Sequence, residues 1–185
     1  LKTGADGTAV SGYLPAGEYY VKETKAPAGY LKGDAYTGPY VVEKGKLADY
    51  TTSAEKYVTN LKEFKIQVNK ADGKTNSPLG GVTFGLYGTE QDARNDVNRL
   101  ALGRTNTAGS YVFTGLSVES SGTKTYYLRE ISTVDNYQIN DTVYPVTVTY
   151  TDSDQVTVTA TPDPITNMPY GNFALTKTAT WDGVT

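Results

Sequence analysis

The chain has 185 residues, a formal net charge of −3, and neither cysteine nor histidine. Disulfide staples, thiolate or imidazole metal centres, and catalysis by Cys or His are thereby excluded. A weakly acidic chain without a basic tract offers no electrostatic footprint for nucleic acid, and no apolar run approaches the roughly 20 residues of a membrane span.

Thr, Val, Gly and 16 Tyr dominate, with single Met and Trp residues, which is the composition of β-strands and turns. In chain order, the segment YYVKE (19–23) reads as a strand and is followed by the turn-rich APAGY. From Glu63 the expected strands are Glu63–Lys70, Val82–Tyr87, Ala101–Thr105, Ser110–Thr114, Thr125–Ile131, Thr142–Tyr150, Gln155–Ala160 and Pro164–Met168. Turn chemistry separates them, as in ADGKTNSPLGG, NTAGS, ESSGTK and TDSD. The polar stretch Glu90–Leu100 reads as a decorating loop with room for a helical turn. Many short strands joined by polar turns predict a β-sandwich.

Three polar residues recur at one offset. Glu23 and Glu130, Asn60 and Asn167, and Lys70 and Lys177 each lie 107 positions apart. Repeats take precedence over a length prior. The expected organisation is therefore 1–61 as the C-terminal part of one domain, 62–170 as a complete domain, and 171–185 as the first strand of a third repeat.

Strand alternation sets the direction of these side chains. Phe64, Ile66, Val68 and Lys70 share a face, as do Tyr126, Leu128 and Glu130, and Ile165 and Asn167. Tyr19, Val21 and Glu23, Val58 and Asn60, and Phe173, Leu175 and Lys177 repeat the pattern. Each polar residue continues an apolar, core-facing row. A buried Lys and Glu cost several kcal/mol each if left charged and unpaired, roughly. Burial favours the neutral amine and neutral acid. A neutral Lys70 is a nucleophile, the Asn167 carboxamide an electrophile, and Glu130 a group able to polarise it and move protons. The product is a Lys–Asn amide, formed once with loss of ammonia. The alternative is a buried Lys–Glu ion pair with Asn as a hydrogen-bond partner.

YYVKETKAPAGY (19–30) and VNKADGKTNSPLGGVTFGLY (68–87) resemble motifs of the Cna B-type (collagen-adhesin B-type) repeat domains of Gram-positive surface adhesins and pilins. The resemblance covers nearly the whole chain. It implies an all-β fold of tandem, immunoglobulin-like sandwiches with an internal Lys–Asn isopeptide crosslink. It implies Lys70 and Asn167 as the crosslinked pair, assisted by Glu130. Glu23 with Asn60, and Lys177, would serve bonds whose partners lie outside this segment. The central motif departs from the first, reading YYLREISTVDNY (126–137) without the Ala-Pro and Gly of 26–29. Ala179 stands where an Asp follows the motif Lys. LPAGE (14–18) has Gly17 where a sortase signal has Thr, and VYPV (143–146) has Val146 where a pilin motif has Lys. Both read as strand or turn. The acidic turns at Asp92/Asp96 and Asp152/Asp154 lack a dense oxygen-ligand loop. No cofactor or metal is expected, and no enzyme turnover beyond the autocatalytic crosslink. The implied role is a stalk segment of an extracellular, cell-wall-anchored surface protein. Its expected partners are neighbouring repeats and, through another region, a host surface protein. The alternative is an adhesive module that binds a host protein directly.

Overall fold

The computed structural model describes residues 1–51, 53, 56–153 and 156–177. Gln155 of one expected strand, Asp154 of one acidic turn, and residues 178–185 of the expected third repeat, Ala179 among them, lie outside the described residues. Strand makes up 39% of the chain and helix 4%, so the fold is all-β. By internal contacts the chain divides into two compact units. One comprises Leu1–Lys65, Thr114–Lys124 and Val148–Thr157; the other comprises Ile66–Phe113, Thr125–Thr147 and Val158–Thr185.

In the first unit, β1 (Gly17–Lys22) pairs antiparallel with β2 (Tyr36–Val42), with an irregularity between Tyr19 and Val21. Gly38 permits that approach, because a Cβ there would lie 2.8 Å from the Tyr19 carbonyl. Lys62 is buried, which its sequence position did not announce. Its ammonium donates to the Asp152 and Thr151 carbonyls and lies 6.0 Å from the Tyr150 ring centroid. Backbone oxygens and an aromatic face thus replace its lost water.

The remaining strands are β3 (Phe64–Asp72), β4 (Thr83–Tyr87), β5 (Ala101–Arg104), β6 (Ser110–Leu116), β7 (Thr123–Ser132), β8 (Val143–Thr149), β9 (Val156–Thr159) and β10 (Ile165–Asn167). Each expected strand from Glu63 onward to Met168 forms, with ends that differ by at most two residues. One sheet runs β10-β3-β6, with β9 also pairing β3; the other runs β5-β4-β7-β8. Alternation in β3, β7 and β8 buries every second side chain. In the second unit Ile66, Val68, Phe84, Leu86, Leu128 and Ile165 are fully buried. Each contributes about 1.5–3 kcal/mol by leaving water.

Two elements differ from expectation. A helix, α1 (Glu90–Asn95), stands where a decorating loop was expected. Thr89 caps it by accepting from the Asp92 N–H, Glu90 and Asp92 fill its first turn, and Arg129 donates to the Ala93 and Arg94 carbonyls at its end. Caps and charges at both ends stabilise a helix too short to persist on propensity. Residues 171–177, expected to open a third repeat, form no strand, and Phe173 and Leu175 are each 85% exposed. An extended segment becomes a strand only when a neighbour completes its ladder.

Candidate functional site

Lys70 on β3, Glu130 on β7 and Asn167 on β10 meet inside the second unit, each no more than 2% exposed. Lys70 Nζ donates to Asn167 Oδ1 at 2.5 Å and lies 2.9 Å from Glu130 Oε2. Asn167 Nδ2 donates to Glu130 Oε1 at 2.6 Å and to Thr133 Oγ1 at 2.8 Å. Glu130 therefore touches both nitrogens. Its Oε2 makes an ionic contact with Nζ and has no hydrogen-bond partner. The Phe84 ring, paired with Glu130 across β4 and β7, lies 5.7 Å from Nζ and gives the site an apolar wall. Burial lowers the Lys70 pKa below the ordinary lysine value, and the Glu130 carboxylate offsets only part of that shift.

The sequence fixes this meeting through the backbone. β10 runs parallel to β3, with Ile165 opposite Lys70 and Asn167 opposite Asp72. Gly73 N–H donates to the Asn167 carbonyl at 2.8 Å, and a Cβ at Gly73 would sit 2.6 Å from Met168 Sδ. Asp72, two residues past the lysine, accepts from the Lys74 and Thr75 N–H groups and from the Tyr137 hydroxyl at 2.7 Å. The Tyr137 bond, followed by these backbone bonds, holds the Asp72 carboxyl below the usual carboxylate range. Tyr137 thereby ties the loop after β7 to the end of β3.

The first unit contains the same arrangement without a lysine. Asn60 Nδ2 donates to Glu23 Oε2 at 2.6 Å and to the Leu31 carbonyl at 2.9 Å. Three bonds of its backbone frame recur 107 positions on. Tyr30 N–H to Pro27, Leu31 N–H to Leu61 and Glu63 N–H to Gly29 correspond to Tyr137 to Val134, Gln138 to Met168 and Tyr170 to Asn136. The bridges Tyr30–Lys62 and Tyr137–Pro169 correspond as well. The departure from the Ala-Pro-x-Gly motif leaves the turn intact, because Asn136 (φ 69°) occupies the left-handed position that Gly29 (φ 82°) holds in the first copy. Asn is among the few side chains that tolerate that region. Lys177 is exposed.

Sequence reasoning placed Lys70, Glu130 and Asn167 on core-facing rows, and the structure brings those three together. It did not find Thr133 as a contact of Asn167. The signal was the departure itself, since Thr133 stands where the first motif has Ala26.

An all-β sandwich with a buried Lys–Glu–Asn cluster between its sheets defines the class. The chain belongs to the SpaA prealbumin-like fold domain family, whose profile matches residues 1–56 and 64–164. That membership agrees with the Cna B-type resemblance. Solved structures similar to the chain include the Bacillus anthracis TIE protein, at 22% identity over 90% of this chain and 28% of that one, TM-score 0.45. The T6 backbone pilin of serotype M6 Streptococcus pyogenes is 26% identical over 48% of this chain and 16% of its own, TM-score 0.39. The full-length major pilin SpaD of Corynebacterium diphtheriae is 21% identical over 61% and 32%, TM-score 0.44. The chain thus spans less than a third of each of these proteins. No curated protein matches it.

Proposed function

We propose that the chain is a structural stalk or shaft segment of a Gram-positive pilus or surface adhesin, and that residues 62–170 form a domain that crosslinks itself. The observation that carries this reading is the buried contact of Lys70 Nζ, Glu130 and the Asn167 carboxamide. Neutral Nζ attacks Asn167 Cγ, and the Cγ–Nδ2 bond breaks. One proton passes from Nζ through Glu130 to Nδ2, which departs as ammonia, and Glu130 ends as it began. Proximity supplies much of the rate, because the reacting groups are already in contact. The amide leaves no ionisable amine in the core and joins the first strand of the domain to its last. Glu23 and Asn60 form the acceptor half of an equivalent bond, and Lys177 is the amine of another. Neighbouring repeats are the natural partners of such a segment. An extracellular, cell-wall-attached location fits the family, and among the described residues no helix is long and apolar enough to cross a membrane.

The mechanical role is tested by pulling the chain from its two ends. Lys70 and Asn167 are 97 positions apart. A crosslink keeps the chain between them out of the force path, roughly 300 Å of extended length. The wild-type chain is expected to lack that extension, and Asn167→Ala to release it. Full release by the wild type overturns the stalk reading.

A further inference from the structure

The geometry points to Thr133 as a fourth member of the site, one that holds the departing nitrogen of Asn167 and passes ammonia to solvent. This deepens the crosslinking reading above and rests on it.

The orientation of the Asn167 carboxamide follows from chemistry. In the ion pair that precedes proton transfer the Lys70 ammonium only donates and the Glu130 carboxylate only accepts, so Oδ1 faces Nζ and Nδ2 faces Oε1. Nδ2 carries two hydrogens. Glu130 takes one and Thr133 Oγ1 the other. With both held, the carboxamide plane cannot turn about its Cβ–Cγ bond, and one face of Cγ stays presented to the amine. The same saturation occurs in the first unit by other means. There the position 107 residues before Thr133 is Ala26, which has no hydroxyl, and Asn60 Nδ2 takes the Leu31 carbonyl as its second acceptor. Two sites with different residues both give the leaving nitrogen two acceptors.

Exit is the second part of the inference. Lys70, Glu130 and Asn167 are almost sealed from water, and ammonia has to leave. Thr133 is only half-buried, and it lines an open groove of about 370 Å³ with Gly81, Arg104 and Asp135 among its walls. The hydroxyl that holds Nδ2 is therefore also the member of the cluster nearest solvent. As the Cγ–Nδ2 bond breaks, the nitrogen takes one proton by way of Glu130 and leaves past Oγ1 into this groove.

The test follows crosslinking in the full 185-residue chain after a pulse of expression, by intact mass over time. Thr133→Ala and Thr133→Val are expected to lose ammonia about tenfold more slowly than wild type, the effect of one net hydrogen bond. Thr133→Ser is expected to restore the rate. Equal rates for Ala, Ser and Thr overturn the proposal. A second measurement separates this role from packing. In an Asn167→Ala background the hydroxyl has lost its partner, so adding Thr133→Ala leaves the urea midpoint unchanged. A clear drop there assigns Thr133 to packing and also overturns the proposal. A wild type that never loses ammonia removes the crosslinking reading itself, and this inference with it.

Discussion

Lys70 is an amine with almost no access to water, and its titration is where the proposed chemistry begins. In the unfolded chain it titrates near its ordinary value of 10.5, whereas in the fold burial lowers that value. Between the two values the folded state binds fewer protons, so stability rises with pH across that window and the cost of burying the charge is felt in full below it. The effect is visible only where the amide cannot form. Asn167→Ala is expected to gain stability, by urea unfolding, as pH is raised toward 10.5, and Lys70→Met in that background to remove the slope. Identical slopes for the two variants would mean that Lys70 is not carrying the effect. How much was legible at this scale depended on what alternation encodes. Lys70, Glu130 and Asn167 stand in apolar rows of period two, so their burial was readable before any contact was known. Lys62 and Thr133 were not readable. Lys62 is held by hydrogen bonds to backbone carbonyls of a distant loop, and Thr133 lies past the end of β7, where no period applies.

The strands were legible because β-branched and aromatic runs alternate with Gly, Asn, Asp and Ser turns, and such patterns leave little choice of register. The helix α1 was not, because its stability lies in Thr89, the first-turn acids and Arg129 from β7 rather than in an apolar stripe. At this scale Gly109 is the position that holds β3 beside the loop before β6. Its carbonyl accepts from the Lys70 N–H, its φ is 71°, and a Cβ would lie 2.3 Å from the Lys70 carbonyl. Gly109→Ala is expected to cost roughly 3 kcal/mol by urea unfolding, the sum of an unfavourable φ and a backbone clash. Gly115→Ala is the control. It has a similar φ of 76° but nothing within 4 Å, so about 1 kcal/mol is expected. Equal costs at the two positions would contradict the close approach at Lys70.

At the scale of the whole molecule, the repeat register and the parallel pairing of β3 with β10 carry the account. Three backbone bonds and one bridge near Asn60 recur 107 positions on near Asn167, so the 107-residue period is a period of structure as well as of sequence. Parallel first and last strands pulled from opposite ends are loaded along their ladder, and an amide between them shifts that load to a covalent bond. Closing a loop of this size also constrains the unfolded chain, by about 4–5 kcal/mol on a chain-entropy estimate, which is comparable to the whole stability of many domains. All of this rests on whether the bond forms. The most direct measurement is the intact mass of the purified chain, followed by peptide mapping. The purified chain is expected to be lighter by one ammonia, with one branched peptide joining Lys70 to Asn167. The full calculated mass, with Lys70 and Asn167 recovered in separate linear peptides, would contradict it and leave a buried ion pair in place of a crosslink.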